Sequence, residues 1–309
     1  MNFAMIFPGQ GSHKVGMLNK LYIYHNILKK TFDEASNYIN YDLWKLITSN
    51  NLHQLNKNKY MQAALLTTSV SIYRLWKKKN GIIPTIAAGH SLGEYSALVC
   101  AKCINFNDAL KIVMIRSKLM QESMIKNPGL MIAIIGLKIN IVQQICTKYS
   151  EIQIVSIACI NSESEIIISG HKNVIPLVGS SCKKHGAKAI FQLSINVASH
   201  CNLMKSAAKK MFHVLKKIIF HTPVFPIVNN VDVSCEFSGK KIKDALVRQL
   251  YQPIFWKQSI EFIISKNISL ILETGPGNIL TNLNKKLMNI VTLSLEDPKN
   301  FLILNKYIE

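Results

Sequence analysis

No apolar run in this sequence approaches the ~20 residues that a membrane-crossing helix requires. The longest candidate, 130–137, stops at Lys138. The first residues lack a basic stretch and run from Phe3 directly into Pro8-Gly9-Gln10-Gly11, which reads as a first strand and not as a signal peptide. A cytoplasmic protein without membrane contact is expected. The seven cysteines have no regular spacing, which excludes a disulfide framework. Cys100 and Cys103 have no second pair to complete a zinc site, so no metal is expected. Acidic residues are scarce, 17 Asp and Glu against 37 Lys and Arg, for a net charge of +20. Yet the lysines come only in short runs such as Lys183-Lys184 and Lys209-Lys210, without interleaved aromatics, so a nucleic-acid face is not expected. Richness in Ile, Asn and Lys is the bias of an A+T-rich gene and accounts for most of the charge.

What is present begins with Gly89-His90-Ser91-Leu92-Gly93, which has the form of a nucleophile elbow. A serine there sits on a sharp turn between a strand and a helix, and the glycines let the turn tighten. The flanks agree: 82–88 reads as a buried strand and 95–101 as the start of an apolar helix. At 309 residues, about two domains are expected.

Strand, glycine loop and helices through about Lys79 lead to the elbow. A helix is predicted over 107–124 with Asn107 or Asp108 as N-cap, ended by Asn127-Pro128-Gly129. Strands are predicted at 130–137, 152–160, 165–169 and 189–195, with helices at 139–149 and 174–185. That strand-helix-strand-strand-helix-strand order is ferredoxin-like. The fold class is therefore α/β, with a ferredoxin-like α+β subdomain at 128–198 inserted into a parallel-sheet body formed by 1–127 and 199–309. A helix at 207–217, a strand at 225–229, a helix at 243–250 and a strand at 270–273 resume the α/β alternation.

A serine nucleophile needs a base within hydrogen-bond reach. Of nine histidines, His200 follows a predicted strand where the insert returns to the body, a natural cleft, and is the best candidate. His90 adjoins the serine, but neighbours in a sharp turn point apart. The loop Phe7-Pro8-Gly9-Gln10-Gly11-Ser12 lacks both a dinucleotide fingerprint and a phosphate-loop ending; it is a plain turn or a source of oxyanion-hole N–H groups. Arg116, within an apolar helix, either snorkels to water or grips a substrate carboxylate.

Together, Phe7 to Ser12, Gly89 to Ala97, Arg116, Ser199-His200 and Gly275-Pro276-Gly277 resemble the bacterial malonyl-CoA:acyl carrier protein transacylases. The resemblance runs nearly end to end and includes the stretches 228–233 and 244–251. It implies an α/β-hydrolase-like body with the inserted subdomain. Ser91 would be nucleophile, His200 general acid and base, and an oxygen of Gln249 the group orienting the imidazole. Gln10 and Leu92 would supply the oxyanion hole, and Arg116 would hold the malonyl carboxylate. The implied reaction moves malonyl from malonyl-CoA to the phosphopantetheine thiol of an acidic acyl carrier protein, by ping-pong through malonyl-Ser91. Neither a separate cofactor nor an oligomer is implied; a monomer is expected.

The sequence departs from the family pattern at two places. Ala198 stands where proline is frequent, which is expected to loosen the loop carrying His200. Glu163 and Glu165 lie in a segment that is usually neutral, and both are expected to face solvent. A serine hydrolase or thioesterase, and a non-catalytic basic binding protein, are the alternative readings.

Overall fold

The strand β1 (Phe3–Phe7) is buried at every position and forms the centre of a five-stranded sheet. The computed structural model describes residues 2–13, 16–48, 59–195, 197–285, 287 and 290–303. On one side of β1 lie β2 (Ile86–Gly89) and then β7 (Ile227–Val228); on the other lie β8 (Leu270–Glu273) and β9 (Val291–Ser294). All four pairings are parallel. β1, β2, β7 and β8 are buried at every position, as strands covered on both faces should be, while the edge strand β9 alternates between buried and more exposed residues. Residue Phe7 pairs in register with Gly89. The carboxyl ends of β1 and β2 therefore deliver the glycine loop and the elbow side by side.

Around this sheet pack α1 (His25–Ile39), α2 (Leu43–Thr48), α3 (Met61–Asn80), α4 (Gly93–Cys100) and α5 (Phe106–Lys126). The cap of α5 is Asn105, two or three residues before the expected Asn107 or Asp108. Its Oδ1 accepts the Asp108 N–H at 2.8 Å, and its amide donates back to the Asp108 carboxylate at 2.6 Å. This is a reciprocal capping arrangement. Pro128 follows the helix and forbids a further turn.

The second sheet comprises β3 (Gly129–Ile135), β4 (Val155–Ile160), β5 (Glu165–His171) and β6 (Ala189–Gln192), in the order β4-β5-β3-β6 and antiparallel throughout. Helices α6 (Ile139–Ser150) and α7 (Ile175–Lys184) provide the two crossovers, as a ferredoxin-like unit requires. One face packs its own core, with Ile134, Val142, Ile166, Ile168 and Val178 fully buried. After this unit the chain returns through His200 to α8 (Lys205–Lys216), α9 (Gly239–Gln249), α10 (Trp256–Ile264), α11 (Ile279–Lys285) and α12 (Asn300–Ile303). The α/β class and the parallel-plus-antiparallel architecture are as expected. Several strands are shorter than predicted, β4 and β6 among them; in β2 and β7 the reason is that Pro84 and Pro226 carry no N–H for a ladder, so pairing starts only after each proline.

Candidate active site

Between β2 and α4 the chain reverses within three residues. Ser91 sits at its apex with φ +52°, a left-handed conformation that costs a non-glycine residue on the order of 1–3 kcal/mol. A side chain at Gly89 would be driven into the backbone of Gly93 and Glu94, and one at Gly93 into the Phe7 carbonyl. Both glycines are therefore needed for the turn to cross β1 so closely. Asn230, just after β7, and Gln249, at the end of α9, hold the strained residue. The Asn230 Oδ1 accepts the Ser91 N–H at 2.8 Å, and the Gln249 Nε2 donates to the Ser91 carbonyl at 3.2 Å.

The Ser91 hydroxyl lies 2.9 Å from His200 Nε2, and His200 Nδ1 lies 2.7 Å from the main-chain oxygen of Gln249. A carbonyl only accepts, so the proton resides on Nδ1 and Nε2 presents its lone pair to the serine. His200 has φ +61° and is 3% exposed. Its N–H donates to the Leu250 carbonyl at 2.9 Å, and the Ala198 N–H donates to Met124 Sδ at 3.2 Å. A proline at 198 would have no such donor, so the loop expected to be loosened by Ala198 is tied at both positions. Burial first, and the Arg116 charge second, push His200 down to about 3, so the imidazole is neutral near pH 7.

Arg116 does not snorkel. It is 1% exposed, and its Nη2 donates to Ser91 Oγ at 3.2 Å while Nη1 donates to Gln62 Oε1 at 3.0 Å. Gln62 of α3 in turn donates to Gln10 Oε1 at 3.2 Å, linking the guanidinium to the glycine loop. No carboxylate among the described residues forms an ion pair with Arg116. A buried cation without an anion is costly unless a ligand supplies one.

Behind the elbow lies a second buried charge that sequence reasoning passed over. Glu94, 2% exposed, accepts at one oxygen from the Gln249 amide at 2.8 Å and from the Asn230 N–H at 3.2 Å. Burial raises it to about 7 against these bonds. In front of the elbow, a cleft of about 430 Å³ opens between the two sheets. Gln10, Ser91 and His200 line it, with Met131, Ile167 and Leu193 forming an apolar wall from the antiparallel unit. Leu92 lies beneath, its backbone packed against Gly9. His90 points away from Ser91, with Nε2 3.2 Å from Asn161 Oδ1. The expectation for the two glutamates divides. Glu163 is exposed and paired with Lys257 at 2.7 Å, whereas Glu165 is half-buried on the cleft wall and accepts the Asn161 amide at 3.2 Å. Strand alternation decides this: β5 starts at Glu165 and turns that residue to the same face as Ile167.

A serine and a neutral imidazole lining an apolar cleft, with a guanidinium free of any ion pair donating to that serine, are equipped for acyl transfer from an anionic substrate. Residues 4–265 match the family model of the acyl transferase domain. The chain is 51% identical over 308 residues to the malonyl CoA-acyl carrier protein transacylase of Buchnera aphidicola subsp. Schizaphis graminum, covering 99% of both. The chain belongs to this family of transacylases. It is also 46% identical over 297 residues to the Escherichia coli (strain K12) member, with 96% of each covered. A malonyl-transacylase solved in complex with its type II PKS acyl-carrier protein superposes with a TM-score of 0.95 at 44% identity, covering 98% of both chains.

All six residues singled out from sequence thus lie around one point. Missed were Gln62, Glu94, Asn161 and Asn230. Glu94 stands one residue after the elbow motif, but a carboxylate in the first turn of a helix is ordinarily a solvated partner of the helix dipole. Asn230 carried a faint signal, as a polar residue directly after a predicted parallel strand, where such sheets place their sites.

Proposed function

We propose that the chain transfers a malonyl group from malonyl-CoA to the phosphopantetheine thiol of an acyl carrier protein. Ser91 is the nucleophile, His200 the general acid and base, and the Gln249 carbonyl the group that orients it. Gln10 and Leu92 supply oxyanion N–H groups, and Arg116 binds the malonyl carboxylate. The observation that carries this reading is the convergence of His200 Nε2 and Arg116 Nη2 on one atom, Ser91 Oγ. A hydrolase has no use for a buried guanidinium at its nucleophile.

In the first half-reaction Nε2 takes the Oγ proton as Oγ attacks the thioester carbon. The oxyanion accepts bonds from the two main-chain N–H groups, one of which is worth about 3 kcal/mol in comparable sites. The C–S bond then breaks and Nε2 returns the proton to the departing thiolate. The carrier thiol repeats the sequence in reverse. Arg116 has a second effect. While unpaired, it donates to Oγ and its charge depresses His200. A malonyl carboxylate draws that donor away and neutralises the charge, so the correct substrate raises the basicity of its own catalyst.

These groups supply every proton transfer, and no separate cofactor enters. We take 128–198 as an inserted unit within a body of 1–127 and 199–309, supported by the separate sheet and core of the insert. The surplus of lysine suits an acidic carrier, and we assign a monomer acting in the cytosol. The test is the intact mass after brief exposure to malonyl-CoA. Wild type gains one malonyl group, Ser91→Ala gains none, Arg116→Ala gains less, and reduced carrier discharges the adduct. Free CoA accumulating without an adduct would point to hydrolysis instead.

A further inference from the structure

Glu94 takes no part in the steps above, yet each of its two partners binds a different part of the machinery. The Gln249 amide that donates to Glu94 Oε2 at 2.8 Å also donates to the Ser91 carbonyl, and the main-chain oxygen of the same residue receives the His200 Nδ1–H. The Asn230 residue whose N–H donates to Glu94 at 3.2 Å uses its side-chain oxygen to hold the Ser91 N–H. One carboxylate oxygen thus joins α4, the loop after β7 and the end of α9. Through them it reaches both peptide groups of a nucleophile in a left-handed conformation and the acceptor that orients the base.

We propose that Glu94 is a positioning residue whose ionised carboxylate fastens the backbone of Ser91 and the orienting carbonyl of Gln249 into one unit, and that protonating it slows acylation. The reasoning is chemical. Bonds to a carboxylate are roughly twice as strong as those to a neutral acceptor. A protonated Glu94 releases its hold on the Gln249 amide, and with it the alignment of Ser91 and His200, without touching Arg116. The charged and titratable groups around Glu94 are Arg116 on α5, Asp232 beyond Asn230 and Tyr95 on its own helix. Arg116 favours the ionised form; burial and Asp232 oppose it, and the balance lies at about 7. His200 is held down first by burial and only second by Arg116, so it stays neutral throughout this range even when a malonyl carboxylate neutralises that charge. The acid limb of acylation then belongs to Glu94 and not to the base.

This inference rests on the assignment of Ser91 and His200 above, and the experiment separates the two. Single-turnover acylation by saturating malonyl-CoA, without carrier, is followed from pH 5.5 to 8.5 for wild type, Glu94→Gln, Gln249→Met and the double variant. Wild type is expected to lose about tenfold in rate between pH 8 and pH 6. Glu94→Gln, which keeps an acceptor but never ionises, runs flat near the acid level of wild type, with malonyl-CoA affinity unchanged. Gln249→Met cuts the same bond from its other end while retaining the main-chain carbonyl, so it is slower, and adding Glu94→Gln to it lowers the rate no further. An acid limb retained by Glu94→Gln, or losses that multiply in the double variant, would overturn the proposal. A malonyl adduct that maps to Ser91 in all variants leaves the function standing even then; an adduct that survives Ser91→Ala would instead overturn the function.

Discussion

The two sheets divide the work unequally. The inner strands of the parallel sheet are wholly buried, and the ends of β1 and β2 carry the glycine loop and Ser91, the proposed nucleophile. The helices and loops around it hold Arg116, His200, Gln249 and Glu94. The antiparallel sheet buries one face in its own core, leaves β6 exposed at its end, and offers the cleft only a wall. The reason lies in connectivity. Parallel strands all deliver their carboxyl ends to one edge, where helix N-termini and short loops converge, whereas antiparallel strands alternate direction and gather no such edge. The groups proposed to react are thus gathered at the carboxyl edge of the buried parallel sheet, and the wall is free to set reach and affinity.

The hardest test of this division is Gly93→Ala. Its methyl would collide with the Phe7 carbonyl, and since that atom belongs to the central strand it has little room to yield. Acylation is expected to fall by more than about a hundredfold, since misplacing a reacting group by roughly an ångström already costs that much. Quench-flow acylation beside a thermal melt would check this; a fully active Gly93→Ala would mean that the elbow is not held by the sheet. Next in size is Arg116→Lys. An ammonium cannot span both Ser91 Oγ and Gln62 Oε1, so kcat/KM for malonyl-CoA should drop about a hundredfold, or about 3 kcal/mol, with acetyl-CoA little affected. Equal losses for the two substrates would remove the carboxylate from the role of Arg116.

These two residues also mark how far the sequence was legible. Ser91 was plain because glycines at fixed spacing are demanded by a close backbone crossing. The strands β1 and β8 were found to the residue, because a buried parallel strand is an unbroken apolar run bounded by turn residues. Arg116 was visible as a cation in an apolar helix, but its burial was not. Nothing local separated His200 from eight other histidines; its place depended on where a long insertion rejoins the body. Gln62 and Glu94 were illegible for the same reason. A hydrogen bond across 54 or 155 residues leaves no trace in the neighbourhood of either partner.

Within the antiparallel unit, Ile168→Ala is the complementary probe. Ile168 is fully buried, opposite Ile132 and away from the cleft. Losing three carbons there should destabilise the protein by about 2–4 kcal/mol, while the acylation rate per folded molecule stays unchanged. A fall in that rate would show the wall to be part of the catalytic frame. At the junction of the two sheets, His200 provides a pH test of stability. Its ordinary value of 6.5 becomes about 3 on folding. Its contribution is therefore complete above pH 6.5 and is lost as pH falls toward 3. Glu94, raised to about 7, works in the opposite sense and loses its contribution as pH rises through that value. Comparing wild type with His200→Gln cancels Glu94. The fall in unfolding free energy from pH 7 to pH 5 should be about 2 kcal/mol smaller in the variant, as read by urea titration.

The smallest effect is expected from Glu165→Gln, and it is the sharpest probe of a wall that influences affinity alone. The Glu165 carboxylate is half-buried on the cleft, receives the Asn161 amide at 3.2 Å, and through Asn161 connects to His90. Glutamine retains an acceptor for that amide, so the local geometry should survive while one negative charge leaves a cleft that admits an anionic thioester. At separations of several ångströms through partly aqueous surroundings, the repulsion relieved is below about 1 kcal/mol. The KM for malonyl-CoA should accordingly fall about two- to fivefold at low ionic strength, and the difference should shrink as added salt shortens the screening length below about 8 Å. The maximal acylation rate should not move. Glu163→Gln is the control, because that side chain is exposed and already paired with Lys257; its KM should match wild type. If Glu165→Gln changes the maximal rate and leaves KM alone, the line from Glu165 through Asn161 to His90 reaches the elbow itself, and the antiparallel sheet takes part in aligning Ser91.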